Sequence, residues 1–237
     1  MLAIIDSRAP NKIRDSLKDR GCEVLGLPPH PALPSPVASH PDMLLFFDAD
    51  RILCTKEYQR IAKRELEVLS KAAQKPIVCV EETVANVYPQ DILLNAATVG
   101  EYVFCLAEYT AGLIRDREHY TVRSVRQGYA KCSTVPIDNR SLITSDPSIA
   151  KVAKEQGLSV LRTDAVPIEL PGYDTGFLGG ATSYAPYGST DEIFFCGNFM
   201  LHPQAEQILA FCKERGKTPV SLSEDPLMDL GTVFLIS

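Results

Sequence analysis

Three stretches of this 237-residue chain end a predicted helix and begin a predicted strand with nearly the same letters. They are residues 18–25 (Lys-Asp-Arg-Gly-Cys-Glu-Val-Leu), 154–161 (Lys-Glu-Gln-Gly-Leu-Ser-Val-Leu) and 213–220 (Lys-Glu-Arg-Gly-Lys-Thr-Pro-Val). Each has charged residues in the last helical turn, a glycine where the chain leaves the helix, and then a short strand-forming run. A repeat of this kind predicts several copies of one supersecondary unit.

The second and third copies can be extended upstream. Residues 128–134 (Gly-Tyr-Ala-Lys-Cys-Ser-Thr) align with residues 176–182 (Gly-Phe-Leu-Gly-Gly-Ala-Thr), and an apolar strand follows each. The predicted unit is therefore strand, strand, helix, strand. Nearer the N-terminus, apolar residues 43–47 and 51–54 predict two strands, and a helix is expected over about 56–73.

The two ends of the chain complete one another. Residues 2–27 supply a strand, a helix and a strand but lack a first strand, whereas residues 230–237 form an apolar strand with no helix after it. Joining these segments gives a fifth unit and predicts a closed ring, which leaves no exposed sheet edges. We therefore expect one α/β-propeller (α/β class) domain over residues 1–237, with five pseudo-symmetric units at approximately 229–237 plus 1–30, 40–81, 91–127, 128–165 and 176–224.

An open, doubly wound sheet also alternates strands and helices and is the competing architecture. The predicted units have two strands before each helix, and nothing resembles a Gly-rich phosphate loop after the first strand. Both observations favour the ring.

Composition and charge argue against several classes of protein. The net charge is −6 and no run of Lys or Arg occurs, so we expect no nucleic-acid partner. No apolar run approaches membrane-spanning length and no basic leader opens the chain, so we expect neither a membrane anchor nor a signal peptide. Seven cysteines without a pairing pattern indicate a reduced, cytoplasmic protein. Neither Cys-x-x-Cys nor His-Glu-x-x-His occurs, so we expect no structural zinc.

Several reactive residue types have a structural interpretation. The segment Asp48-Ala-Asp50 follows an apolar run, as in aspartyl-phosphate phosphatases, but no late Asp-Asp pair completes a Mg²⁺ site. His202 precedes a proline at a predicted helix start, which favours N-terminal capping over catalysis. Six cysteines lie in helix or strand patterns and are predicted to be core residues: Cys22, Cys54, Cys79, Cys105, Cys196 and Cys212.

Three short segments resemble those of a known family. They are His40-Pro41-Asp42, the Gly-Tyr-Ala-Lys-Cys-Ser of residues 128–133, and Gly-Gly-Ala-Thr at 179–182. Together with the five predicted units, they resemble an uncharacterised bacterial branch of the guanidino-group-modifying (pentein, α/β-propeller) superfamily. Its members include arginine and agmatine deiminases, amidinotransferases and dimethylarginine hydrolases.

The resemblance implies roles for residues at the starts of the units. Cys132 would attack the guanidinium carbon as a thiolate, and His40, about two units earlier, would act as acid and base. Asp42 would orient the imidazole of His40. Asp229 would pair with the planar guanidinium, as carboxylates do with arginine. The remaining candidates for the substrate-binding side are Asn95, Lys131, Gly179 and Gly180.

Activation of the thiol needs a nearby positive charge. Lys131 neighbours Cys132, but adjacent strand residues point to opposite faces. An imidazolium or the bound cation is therefore the expected cause of a lowered thiol pKa.

Two features depart from the family pattern. The family's cysteine usually lies near the C-terminus, so the present order is that of a circular permutation, which a ring with a seam tolerates. Gly179 and Gly180 occupy the place of a second substrate-binding carboxylate, which leaves that role to Asp174 or another loop.

The sequence therefore predicts a hydrolase or transferase that acts on a small cationic guanidine or amidine. No metal or organic cofactor is expected, since thiolate chemistry on guanidines requires neither. The alternative is a non-catalytic binding module, as the ribosome anti-association factors of this superfamily are, and the missing carboxylate favours it. The sequence does not separate hydrolysis from amidino transfer, and it gives no oligomeric state.

Overall fold

Short strands and helices alternate along the whole chain in the computed structural model, which describes residues 1–188 and 190–237. Strands β1–β15 are, in order, Leu2–Asp6, Glu23–Leu27, Phe46–Phe47, Ile52–Thr55, Ile77–Val80, Ala97–Val99, Tyr102–Cys105, Thr121–Ser124, Thr134–Asp138, Ser141–Thr144, Ser159–Arg162, Ser183–Tyr184, Glu192–Phe195, Thr218–Ser221 and Val233–Ile236. Helices α1–α7 are Asn11–Asp19, Pro41–Leu44, Lys56–Ile61, Lys63–Ala73, Gly112–Arg115, Pro147–Glu155 and Ala205–Lys213. Single 3₁₀ turns lie at Ser35–Val37, Ala107–Tyr109 and Phe199–Leu201.

One pairing pattern recurs in five groups of strands. In β3–β4–β5, β6–β7–β8 and β9–β10–β11 the first two strands are antiparallel and the last two are parallel. The chain ends repeat this pattern, because β15 is antiparallel to β1 and β1 is parallel to β2. In the remaining group a single antiparallel bridge from Thr182 to Phe195 precedes the parallel pair β13–β14. A helix connects the two parallel strands in every group, which is the order predicted from the repeat.

The two ends of the chain pair directly, as the surplus C-terminal strand indicated. Leu2 lies opposite Ile236 and Ile4 opposite Phe234. Strand β15 also pairs with β12, so this group is a four-stranded sheet. Among the described residues the strands form five separate sheets and not one closed sheet. The fold is therefore mixed α/β, and closure of the five groups into a ring remains a prediction.

The glycines of the sequence repeat end three helices. Gly21, Gly157 and Gly216 have φ values of 79°, 75° and 68°, just beyond α1, α6 and α7. An L-residue that has a side chain loses free energy in this left-handed conformation, whereas glycine does not. Nothing lies within 4 Å of where a Cβ would stand at any of the three. The repeat thus marks a backbone requirement rather than a packing one.

The segment around residues 43–47 differs from its prediction. Met43 and Leu44 belong to the short helix α2, and only Phe46 and Phe47 form a strand. Proline is favoured at the first helical position, and Leu45 N closes the turn by donating to Pro41 O at 2.9 Å. This turn carries Asp42 into the interior. The helix predicted over 56–73 is likewise divided, into α3 and α4, at Ala62.

Apolar faces of the helices and strands meet in the interior. Ile13 and Leu17 of α1 are buried, as are Leu66 and Leu69 of α4. Among the described residues, none of the helices combines the length and apolar character that crossing a bilayer requires. All seven cysteines are free thiols, and five of the six predicted core cysteines are buried; Cys79 is only half-buried.

We expect Gly157→Ala to lower the free energy of unfolding by about 1 kcal/mol, because alanine must adopt the left-handed conformation there. Urea unfolding followed by circular dichroism measures the change. Gln156→Ala is the matched control, since its φ of −87° suits alanine. An equal loss in both variants would show that helix propensity, and not the positive φ, sets the cost.

Candidate functional site

Residues 128–133 form a turn immediately before β9. Thr134 N closes this turn by donating to Lys131 O at 3.0 Å. Because Lys131 and Cys132 lie in a turn and not in a strand, alternation does not send their side chains to opposite faces. Both are almost fully buried, and each contacts the same polar cluster. The expectation that Lys131 points away from Cys132 is therefore wrong.

Asn95 fixes the position of this turn. Its Oδ1 accepts a hydrogen bond from Lys131 N at 2.8 Å. Its Nδ2 lies 3.1 Å from Cys132 Sγ and 3.1 Å from Asp42 O. One buried amide therefore connects the cysteine turn to the segment that carries Asp42.

Asp42 is the carboxylate in contact with the thiol. Its Oδ2 lies 3.2 Å from Cys132 Sγ and accepts from Thr232 Oγ1 at 2.9 Å. Its Oδ1 is buried and has no hydrogen-bond partner among the described residues. Asp42 thus contacts the thiol and a hydroxyl, whereas the predicted role was to orient His40.

The imidazole of His40 lies between two other carboxylates. Its Nε2 is 3.9 Å from Asp6 Oδ2 and its Nδ1 is 3.8 Å from Asp229 Oδ1. Both separations exceed a direct hydrogen bond. His40 Nδ1 is buried and, among the described residues, unpartnered. The ring is therefore placed by charge and packing while one nitrogen stays available.

Asp229 is held by the backbone of neighbouring segments. Its Oδ2 accepts from Phe177 N at 2.8 Å and its Oδ1 accepts from Gly231 N at 2.9 Å. A Cβ at Gly180 would overlap the carboxylate of Asp229. Since any side chain there would displace Asp229, the glycine is what admits this carboxylate.

Gly179 has a similar steric role beside the cysteine turn. A Cβ on it would overlap the carbonyl oxygens of Lys131, Cys132 and Thr134. Gly180 N also donates to Cys132 O at 2.9 Å. The glycine pair thus brings two segments of backbone together, which explains the absence of a carboxylate at these positions.

Sequence reasoning missed Thr232. Its φ is 67°, an uncommon conformation for a β-branched residue and one that often marks a functional constraint. Its Oγ1 accepts from Lys131 Nζ at 2.9 Å and lies 2.9 Å from Asp42 Oδ2 and 3.2 Å from Gly179 O. No pattern in the sequence distinguishes this threonine, because its contacts come from segments 53 to 190 residues away.

Sequence reasoning also missed Asp6. It ends the buried strand β1 and forms a two-oxygen ion pair with Arg8. The signal that could have found it is a carboxylate at the end of an apolar strand, since a buried carboxylate needs a partner.

Residues 4–234 match a family described as a family of unknown function (DUF6873). The chain belongs to this family. No curated protein matches the sequence. The classification establishes common descent within the family and assigns no activity.

Solved structures with a similar fold are guanidino-modifying enzymes. One is a dimethylarginine dimethylaminohydrolase in an adduct with S-methyl-L-thiocitrulline, with a TM-score of 0.54 and 10% identity. The match covers 94% of this chain and 92% of the hydrolase chain. The Pseudomonas aeruginosa enzyme with citrulline gives 0.52, 10% identity and the same coverage. An amidinotransferase from Microseira wollei, in saxitoxin biosynthesis, gives 0.53 and 10% identity, with 96% and 81% covered. At this identity the likeness shows the fold alone.

The thiol of Cys132 is protonated at neutral pH in this arrangement. Burial raises its pKa well above the ordinary value, and the charges of Asp42 and Asp229 raise it further, while the Asn95 hydrogen bond acts in the opposite direction. Burial also lowers the pKa of the Lys131 ammonium, opposed by Asp42. The neighbouring lysine does not produce a resting thiolate, so any activation requires a change at the site.

The cluster carries more negative than positive groups. Asp6, Asp42 and Asp229 are buried; Lys131 is the one buried ammonium among the described residues, and the partly exposed guanidinium of Arg8 pairs with Asp6. Burial raises the pKa of Asp229, with the positive charge of His40 opposing it. The site therefore has unbalanced negative charge whenever the imidazole is neutral, and a cation would balance it.

A cleft of about 420 Å³ leads from the surface to the imidazole side of the cluster. Asp6, His40 and Asp229 line its inner end, and the exposed Arg8 and Gly172 contribute to its wall. The Arg8 guanidinium also donates to two carbonyl oxygens of the Pro-rich loop, those of residues 35 and 36. Cys132 is only 3% exposed and does not line this cleft.

Two other groups considered in the sequence lie outside this cluster. Asp48 is surrounded by Arg51 Nε at 2.9 Å, Arg117 Nε at 3.0 Å and His119 Nε2 at 3.1 Å, so its charge is balanced by side chains. His202 Nδ1 accepts from Gln204 N at 3.0 Å, but α7 begins at Ala205 and its N-terminus has no side-chain cap, so the predicted capping by His202 is not seen.

We expect Asp42→Asn to accelerate alkylation of Cys132 by iodoacetamide, because removing a neighbouring carboxylate charge lowers the thiol pKa. A fall of about one pKa unit gives about tenfold faster labelling at any pH below the pKa. Peptide mass spectrometry across a pH series measures the rate, with half-buried Cys79 as the internal reference. Asp50→Asn, at an exposed carboxylate, is the matched control. Equal rates in the wild type and Asp42→Asn would remove Asp42 as a determinant of the thiol pKa.

Proposed function

We propose that this protein is a cysteine-dependent hydrolase or transferase for a small guanidine- or amidine-bearing cation. The observation that supports this most directly is the buried thiol of Cys132 against a carboxylate whose second oxygen, Asp42 Oδ1, has no partner among the described residues. Within the same part of the chain, the buried His40 Nδ1 is also without a hydrogen-bond partner. An amidinium group supplies N–H donors for the carboxylates and an electrophilic carbon for the thiol.

The proposal includes the architecture of the whole chain. We propose that the five strand groups, each antiparallel then parallel, are the units of one ring closed where β15 pairs with β1. In that arrangement the segments carrying His40, Asn95, Cys132, Gly180 and Asp229 converge at the axis. The contacts among these five segments support the ring. The seven unpaired thiols fit a reducing compartment such as the cytoplasm.

Binding of the cation is the step that activates the nucleophile. Burial raises the Cys132 pKa and the charges of Asp42 and Asp229 raise it further; an amidinium near these carboxylates offsets their part, and the thiol passes its proton to the neutral imidazole of His40. The thiolate then adds to the amidinium carbon. As the C–N bond breaks, His40 donates a proton to the departing amine, leaving the carbon bonded to sulfur.

The second half of the reaction releases the enzyme. His40, now neutral, takes a proton from water or from an acceptor amine, which attacks the same carbon. The C–S bond breaks and the thiolate of Cys132 is regenerated. Attack by water gives hydrolysis, and attack by an amine gives amidino transfer.

We expect chloroacetamidine to label Cys132 about tenfold or more faster than chloroacetamide at neutral pH. The two reagents have nearly the same size and differ in charge, so the ratio of their rates reports cation recognition. Asp229→Asn is expected to lower this ratio. In Asp42→Asn, chloroacetamide should label Cys132 faster while the ratio of the chloroacetamidine rate to the chloroacetamide rate falls. The two changes separate the effect on the thiol pKa from the effect on cation binding.

The control for selectivity is Cys196, which is buried near Asp229 but lies outside the cluster. Turnover of guanidino compounds, followed by release of ammonia or amine, should be lost in Cys132→Ser. Equal labelling by both reagents, or undiminished turnover in Cys132→Ser, would contradict the proposed chemistry.

A second candidate function, a non-catalytic binding module, is favoured by one observation. Lys131 already places a buried ammonium next to the cluster, linked to Asp42 through Thr232. It also faces the rings of Tyr184 and Phe234, at 5.6 and 5.9 Å. In this candidate Lys131 is the resident cation, and the thiol stays protonated.

We expect Lys131→Met to destabilise the protein by about 3 kcal/mol or more, because it leaves the charge of Asp42 uncompensated in the interior. If Lys131 fills the cation site, millimolar methylguanidine should raise the melting temperature of this variant more than that of the wild type. Lys151→Met, at an exposed position of α6, is the matched control. Stronger stabilisation of the wild type would instead support a separate site for the ligand.

A further inference from the structure

Two cysteines face each other in the sheet β3–β4–β5, outside the candidate site. Cys54 in β4 and Cys79 in β5 are direct partners in the parallel register of these strands. Neighbouring strands lie about 4.8 Å apart, so the Cα atoms of two directly paired residues are about that far apart. Disulfides join residues whose Cα atoms are about 4.4–6.8 Å apart.

The two thiols differ in access to solvent. Cys54 is fully buried, whereas Cys79 is half-buried and lines a surface cleft of about 810 Å³ together with Glu81 and His119. Cys79 Sγ lies 3.2 Å from Gln59 Oε1, which holds the sulfur at the edge of this cleft. A small reagent therefore meets Cys79 first, and Cys54 lies beside it in the neighbouring strand.

We propose that Cys54 and Cys79 form a dithiol modification site that a peroxide oxidises reversibly to a disulfide. The Cys79 thiolate attacks one oxygen of hydrogen peroxide, the O–O bond breaks, and the products are a sulfenic acid and hydroxide, which is protonated to water. The sulfur of Cys54 then attacks the sulfenyl sulfur of Cys79, the S–O bond breaks, and a second water leaves. The two thiols thus supply the two electrons that reduce one peroxide to two waters.

The geometry favours a bond that is easily reduced. Side chains of in-register residues on parallel strands stand side by side, so their Cβ atoms are farther apart than the mean of about 3.8 Å in disulfides. Closing the bond therefore strains the two strands, and strained disulfides have the more oxidising potentials of labile sites.

The chain contains a matched comparison. Cys105 is likewise buried in the middle strand of its group, β7, but its in-register neighbour in β8 is Ser124. Cys105 has the same burial without a partner thiol, so it should stay reduced under conditions that join Cys54 to Cys79.

The test uses the full chain, with Cys132→Ser as a second background so that the candidate site does not contribute. Reduced protein is exposed to hydrogen peroxide, free thiols are blocked with iodoacetamide, and the protein is digested with trypsin and a glutamate-specific protease. Mass spectrometry is expected to find peptides 52–56 and 72–81 joined, with Cys105 unmodified, and dithiothreitol should separate them.

Single substitutions give the complementary result. In Cys54→Ser, Cys79 should proceed to the sulfinic acid because no thiol resolves it, and in Cys79→Ser, Cys54 should remain a thiol. The proposal is overturned if wild-type Cys79 accumulates as sulfinic acid beside an unmodified Cys54, or if both remain thiols. The wild-type result decides the matter even where a variant does not fold.

Discussion

The structure depends on the buried carboxylate of Asp42 and on the groups that satisfy it. A carboxylate removed from water is costly unless hydrogen-bond donors surround it. Here the donors come from distant segments, the thiol of Cys132 and the hydroxyl of Thr232, which in turn accepts from Lys131. Because the interior must meet these requirements together, the contacts that hold the segments in place are also those that form the candidate site.

Glycines make this arrangement sterically possible. Gly180 leaves the space that the carboxylate of Asp229 occupies, and Gly179 lets two backbones approach closely. The family resemblance in the sequence predicted a carboxylate at this position, yet its absence does not leave the cluster short of negative charge. Asp6 and Asp229 flank the imidazole of His40 instead. The charge needed for a cationic ligand is therefore present, but it comes from different positions of the chain.

Burial raises the pKa of the Cys132 thiol, and the carboxylates that would attract a cation raise it further. Ligand binding and thiol ionisation are consequently coupled, and by linkage a cation that favours the thiolate is bound more tightly once the thiolate forms. Lys131 is the competing positive charge inside the protein. The two proposed functions differ in which cation, internal or external, balances the charge of Asp42.

The sequence by itself determined the periodic features of this protein. The recurring Lys-to-Gly helix ends predicted the order of strands and helices and the helix ends at glycines 21, 157 and 216. The unmatched end strands predicted the pairing of β15 with β1. The residues His40, Asn95, Cys132 and Asp229 were found from their places in the units. Only the tertiary structure decided the remainder: the helical turn at Pro41, the roles of Thr232 and Asp6, and the protonated thiol. These depend on contacts between segments far apart in the chain and on desolvation by the whole interior, which no local pattern of residues encodes.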